Sequence, residues 1–175
     1  KVLVVRADST NKANAAVIKS MNGVNGVTSS IVIDGLVDVV ADGDMSDGKG
    51  ANEAVSAVAS TIEIGGGSIK AINGAAYAIR AYGEFQSQNT GIVNVNVKKD
   101  EKGNVIGAGT NKTTIEGDIA TTGGMGNKGL VSVGLSTNDS SWKGNYTTAE
   151  GGKVNLFMSN GANWTGNSKG AMDVD

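Results

Sequence analysis

The chain has 175 residues, 27 of them glycine, with aromatics at 4% and no proline, cysteine or histidine. Those absences exclude disulfides, thiolate and imidazole metal sites, and Ser-His-Asp or Cys-His catalysis. A formal net charge of −2, with no basic cluster beyond Lys98-Lys99, argues against a phosphate-backbone partner, so no nucleic acid is expected.

The apolar fraction of 39% comes largely from Val, Ile and Ala. These side chains are small or β-branched, and the branched ones favour extended backbone. They suit many thin stacked layers better than one broad core. No run of about 18 apolar residues occurs, so no membrane-spanning segment is expected. Asn-Gly pairs at Asn22-Gly23, Asn25-Gly26, Asn73-Gly74 and Asn160-Gly161 mark tight corners, because both residues tolerate positive φ.

Along the chain, Asn11–Met21 is the first ambiguous span, open to helix or strand. Short runs with the two-residue strand period follow at Ser30–Gly35, Thr61–Gly66 and Gly91–Asn96. Ala51–Ser60 is again ambiguous, although its repeat context favours strand for Val55–Ala59, and likewise for Ala76–Ala81. Ile31/Ile33, Leu36/Val39, Ile62/Ile64, Val93/Val95/Val97, Val131/Val133/Leu135 and Leu156/Met158 are expected to point inward, with their polar neighbours facing solvent.

Internal similarity is the strongest signal. Thr113-Thr114-Ile115-Glu116-Gly117-Asp118 is echoed by Ser140-Ser141-Trp142-Lys143-Gly144-Asn145 and again by Ala162-Asn163-Trp164-Thr165-Gly166-Asn167. The steps are 27 residues from Ile115 to Trp142 and 22 from Trp142 to Trp164. A 22-residue step also aligns Leu135 with Phe157 and Ala54 with Ala76. No rung can bury its own apolar face, so stability has to come from the rungs above and below. The expected fold is all-β: a right-handed parallel β-helix, a solenoid with rungs of about 22–27 residues and loops inserted at its corners. Residues 1–175 read as one such segment, a piece of something longer. The competing reading is an antiparallel sandwich or barrel with coincidental matches.

Chemistry-bearing residues are sparse. Asp42, Asp44, Ser46 and Glu53 fall at positions 1, 3, 5 and 12 of an EF-hand-like calcium loop. Its sixth position is Asp47 and not glycine, so a solvated glycine-rich loop competes with calcium; no other cofactor is expected. Gly65-Gly66-Gly67-Ser68 lacks the frame of a nucleophile elbow or P-loop and reads as a close-packed corner. Asp34 with Asp38, and Glu116 with Asp118, are the nearest approach to the two carboxylates of a glycosidase. Alternation along a soluble strand produces the same spacing. Tyr77, Tyr82 and Phe85 gather around Arg80, as packing or as a lateral contact patch. Trp142 and Trp164 would form an aromatic ladder for sugar rings or a protein partner if exposed. Ile115 at the equivalent place favours burial. Four Asn-x-Ser/Thr sequons, at Asn111, Asn138, Asn145 and Asn163, are what an Asn- and Thr-rich composition produces.

Gly91–Asn96, Thr114–Ile119, Ser141–Asn145 and Gly152–Leu156 together resemble the passenger regions of type V autotransporters, in which an I-x-G-D/N corner and a W-x-G turn recur. The resemblance covers the chain from about residue 30 onward. It implies a right-handed β-helix outside a Gram-negative cell, mediating adhesion, aggregation or biofilm contacts. The implied partners are host or bacterial surface molecules, glycans among them, or further copies of the chain. The chain carries neither the membrane barrel nor the protease unit of that family. The expected role is therefore an adhesive or structural surface segment and not an enzyme; a carbohydrate-active β-helix enzyme and a passive spacer stalk are the alternatives.

Overall fold

The computed structural model describes residues 2–8, 16–22, 27–43, 52–83, 89–122, 128–149 and 151–175, the first of these by backbone alone. Among the described residues there are twenty strands and no helix. Eighteen strands form three six-stranded sheets. Numbered in chain order, sheet A holds β1 (Val2–Asp8), β4 (Leu36–Asp42), β7 (Gly67–Ile72), β12 (Thr113–Glu116), β15 (Ser141–Lys143) and β18 (Asn163–Thr165). Sheet B holds β2 (Ala16–Met21), β5 (Glu53–Val58), β8 (Tyr77–Tyr82), β13 (Ile119–Thr122), β16 (Tyr146–Thr148) and β19 (Ser168–Lys169). Sheet C holds β3 (Ser30–Ile33), β6 (Thr61–Ile64), β9 (Gly91–Val95), β14 (Gly129–Leu135), β17 (Lys153–Met158) and β20 (Met172–Val174). The chain visits A, B and C in turn, and every pairing within these sheets is parallel. The antiparallel sandwich is thereby set aside. Both ambiguous Ala-rich spans contribute strands, β2 and β5.

The remaining pair, β10 (Val97–Lys99) and β11 (Val105–Ala108), is an antiparallel hairpin inserted between β9 and β12. Asp100 caps its turn by accepting from the backbone N–H of Lys102 and Asn104, at 2.9 and 2.8 Å.

Register places like on like. In sheet C, Ile31, Ile62, Val93, Val131, Val154 and Met172 form one row, and Ile33, Ile64, Val95, Val133, Leu156 and Val174 the next. Sheet A stacks Val39, Ile69, Ile115, Trp142 and Trp164. Sheet B stacks Ile18, Val55, Ile79, Ile119 and Tyr146. Most of these side chains are buried in one continuous core. Each fully buried aliphatic side chain contributes about 1.5–3 kcal/mol relative to exposure. β-Branched residues fit the 4.8 Å inter-strand repeat well, since each rests on a similar shape in the next strand.

Several expectations need correction. Leu36 is exposed and Val37 takes its inward place. Val97 leaves sheet C to begin the hairpin and is half-buried. Leu135 stands opposite Met158, not Phe157, because the local step is 23 residues. Val55 stands opposite Ile79, a step of 24 in place of 22. Rungs of 22–27 residues do not describe the whole chain: Val37 to Gly67 spans 30 residues, Gly67 to Thr113 spans 46 with the hairpin included, and Val154 to Met172 spans 18. Two polar residues expected in solvent, Asn94 and Ser132, are buried at 6% and 5% exposure on outward positions of β9 and β14.

Candidate binding cleft

The hairpin is the one described departure from the parallel stack, and its base is held by Asn96. That residue has φ of 50°, a left-handed conformation that asparagine tolerates. Its side-chain amide donates to the carbonyls of Asn111 and Gly134 at 2.7 and 2.9 Å, and its oxygen accepts from the Asn111 N–H at 3.1 Å. One buried side chain thus ties the start of the hairpin, its return and the following rung.

Beside the hairpin lies a cleft of about 350 Å³. Its floor is the outer face of sheet C and its wall is β10 with the return segment. Asp34, Glu63, Asn94, Lys99, Thr110 and Asn111 supply its polar groups. Lys99 reaches from the hairpin to an ion pair with Glu63. Asn111 donates its amide to the Gly65 carbonyl at 2.7 Å, closing one end.

The predicted contact residues are spread across the molecule. Trp142 is fully buried and Trp164 half-buried. Their rings stack with centroids 5.1 Å apart and planes at 19°. Each indole N–H donates to a carbonyl in the preceding rung, Trp142 to Gly117 at 3.1 Å and Trp164 to Gly144 at 3.0 Å. The next residue of the repeated motif forms a corner ladder. Asp118 accepts from the Asn145 backbone N–H at 2.7 Å, and the Asn145 side-chain oxygen accepts from the Asn167 N–H at 3.1 Å. The W-x-G-N repeat is therefore a corner device: the Trp142 indole and the Asn145 amide donate to the level before, and the Gly144 N–H donates to the Thr165 carbonyl in the level after.

Tyr82 is half-buried on the outer face of sheet B, with the Arg80 guanidinium 5.5 Å from its ring centre. Arg80 also pairs with Glu53 at 2.7 Å. Phe85 lies outside the described residues. Of the calcium set, Asp44 and Ser46 also lie outside them. Asp42 ends β4 and accepts from Asn73 at 2.7 Å, while Glu53 opens β5 against Arg80. Among the described residues no group of three or more acidic side chains gathers in a form that could hold a metal ion. The glycine run 65–67 is a corner: a side chain at Gly67 would overlap the Val37 backbone. Asp34 sits beyond β3 and Asp38 on β4, so the sheet changes between them. Asp118 accepts through Oδ1 from the backbone N–H and the side-chain amide of Asn145.

Sequence reasoning missed Tyr146, Asn94 and the hairpin. Tyr146 is fully buried, its hydroxyl 2.8 Å from Thr121 Oγ1. Its signal was present: it follows Gly144-Asn145 as Ile119 follows Gly117-Asp118. The hairpin was also signalled, by Asp-Glu-Lys-Gly-Asn at 100–104 between two β-rich runs.

Among the described residues, no helix is long and apolar enough to cross a membrane. Compared with protein-family models, curated proteins and solved structures, the chain matches none.

Proposed function

We propose that the chain is a stretch of a right-handed parallel β-helix on the outside of a Gram-negative cell, serving as a rigid adhesive and structural segment. The cyclic A, B, C order with parallel register supports the β-helix. Right-handedness follows the general preference of parallel crossovers. The W-x-G-N ladder supports the resemblance to autotransporter passengers, since it gives that motif a physical task in stacking rungs.

The observation that carries adhesion over passive spacing is the inserted hairpin with its polar cleft. A spacer needs only uniform rungs, whereas a side structure adds recognition surface to the rod. Weak contacts repeated along a rod or between many rods would add through multivalency. The second reading, a carbohydrate-active enzyme, draws on one observation: Asp34 and Glu63 line the same cleft. The ion pair of Glu63 with Lys99 weighs against it, because it holds that carboxylate as a structural partner.

The test displays the chain on non-adherent Gram-negative cells and scores settling and surface attachment. Removing residues 97–108 is expected to abolish attachment, while the full chain confers it. Attachment that persists unchanged without the hairpin contradicts the adhesive reading and favours the spacer. Release of reducing sugar from polysaccharide by the purified chain favours the enzyme.

A further inference from the structure

Asn94 lies on β9, in register between Glu63 and Ser132 on the outer face of sheet C. Both neighbours are engaged: Glu63 by Lys99, and Ser132 by the Asn155 amide at 3.3 Å. Asn94 is only 6% exposed. It lines the cleft beside the hairpin. The register of β9 therefore places an amide donor and acceptor on the floor of a concave site.

The chemistry around that amide narrows the ligand. The charged lining groups are Asp34, Glu63 and Lys99, a net negative set that disfavours anions. Thr110 and Asn111 add exposed neutral polar groups at the rim. Ile33, Ile64 and Val97 add aliphatic surface, against which the C–H edge of a pyranose can lie. The volume, about 350 Å³, lies in the range of small-ligand sites. We infer that this cleft binds a neutral saccharide, one or two sugar residues of a glycan, with the Asn94 amide bridging vicinal hydroxyls. The inference rests on the adhesive reading for its setting, and it extends that reading by naming the site and the ligand class.

The test follows the backbone and side-chain amide signals of the isotope-labelled 175-residue chain during titration with cellobiose, lactose and diacetylchitobiose as neutral probes and sialyllactose as the anionic one. At least one neutral disaccharide is expected to shift Asn94, Thr110 and Asn111 selectively and to bind more tightly than sialyllactose. Asn94→Leu is expected to weaken it roughly tenfold, the loss of one or two hydrogen bonds. Should that variant fail to fold, the exposed Thr110→Val carries the comparison, with a several-fold loss expected. The inference is overturned by absence of cleft shifts with every neutral probe, by tighter binding of sialyllactose, or by unchanged affinity in a folded variant. Failed saccharide binding with cell attachment intact sinks this site alone; saccharide binding without attachment sinks the adhesive reading alone.

Discussion

Trp142 and Trp164 stack one level apart, with ring centroids 5.1 Å from each other and planes inclined by 19°. The 22-residue spacing of the two tryptophans is thus the length of one circuit through the three sheets. The indole N–H bonds to Gly117 and Gly144 lock each ring to the backbone of the level before. Aromatic stacking and a satisfied buried donor act together at this corner.

Trp142→Ala is expected to destabilise the chain by about 3–5 kcal/mol, since it empties a fully buried site. Trp142→Phe keeps the ring stack but leaves the Gly117 carbonyl without its donor, at about 1–2 kcal/mol. Trp164→Ala is expected to cost less than Trp142→Ala because Trp164 is half-buried. Denaturant unfolding of the three variants checks the order.

Gly144 sits where two levels approach closely: a Cβ there would overlap the Gly117 carbonyl. Gly144→Ala is expected to cost about 1–3 kcal/mol or more, because backbone and not a flexible side chain must give way. Gly107 on the hairpin has nothing near its Cβ position. Gly107→Ala is expected to lie within about 0.5 kcal/mol of the parent chain. Paired thermal melts decide.

What was legible in the sequence follows from these corners. Glycine, indole and asparagine are needed together at the C-terminal turns, so their spacing exposed the register of sheet A from Ile115 to Trp164. Elsewhere the rows consist of Val, Ile and Ala, which any neighbour can replace. Hence the steps involving Phe157 and Ala76 slipped by one or two residues. Loops of unequal length between strands erased the period further upstream. Asn94 was assigned to solvent by alternation alone, which cannot register a hairpin laid over the sheet face. The cleft was invisible for the same reason: its lining comes from residues 33 to 111, with no motif joining them.

Asn96 combines φ of 50° with a buried amide at the base of the hairpin. Asn96→Gly keeps the backbone conformation and loses the side-chain bonds. Asn96→Ala loses both, and is expected to be roughly 1–2 kcal/mol less stable than Asn96→Gly. In both variants the Asn111 amide, which donates to Asn96 Oδ1 at 3.1 Å, is expected to exchange with solvent faster. Hydrogen exchange read at that amide is the check.

Asp100 at the hairpin turn has its carboxyl held below the ordinary value, first by the Asn104 side-chain amide and then by backbone N–H groups. A depressed folded-state value means the turn is favoured by ionisation above the unfolded value, about 3.9. That contribution is lost as pH falls through the folded value. Acid titration is expected to show Asp100 half-protonated below pH 3.9 or so, with the Lys102 and Asn104 amide signals moving in step. Asp100→Ala is expected to remove that co-titration.

The central claim is parallel, in-register stacking of successive rungs, and the absence of native cysteine allows a direct measurement by cross-linking. Thr114 stands opposite Ser141 and Glu116 opposite Lys143, and neighbouring strands about 4.8 Å apart suit a disulfide. Oxidation of double-cysteine variants is expected to link 114 with 141 and 116 with 143, and to leave 114 with 143 and 116 with 141 unlinked. An antiparallel pairing about Ile115 and Trp142 would yield the opposite pattern, and that result would contradict the account.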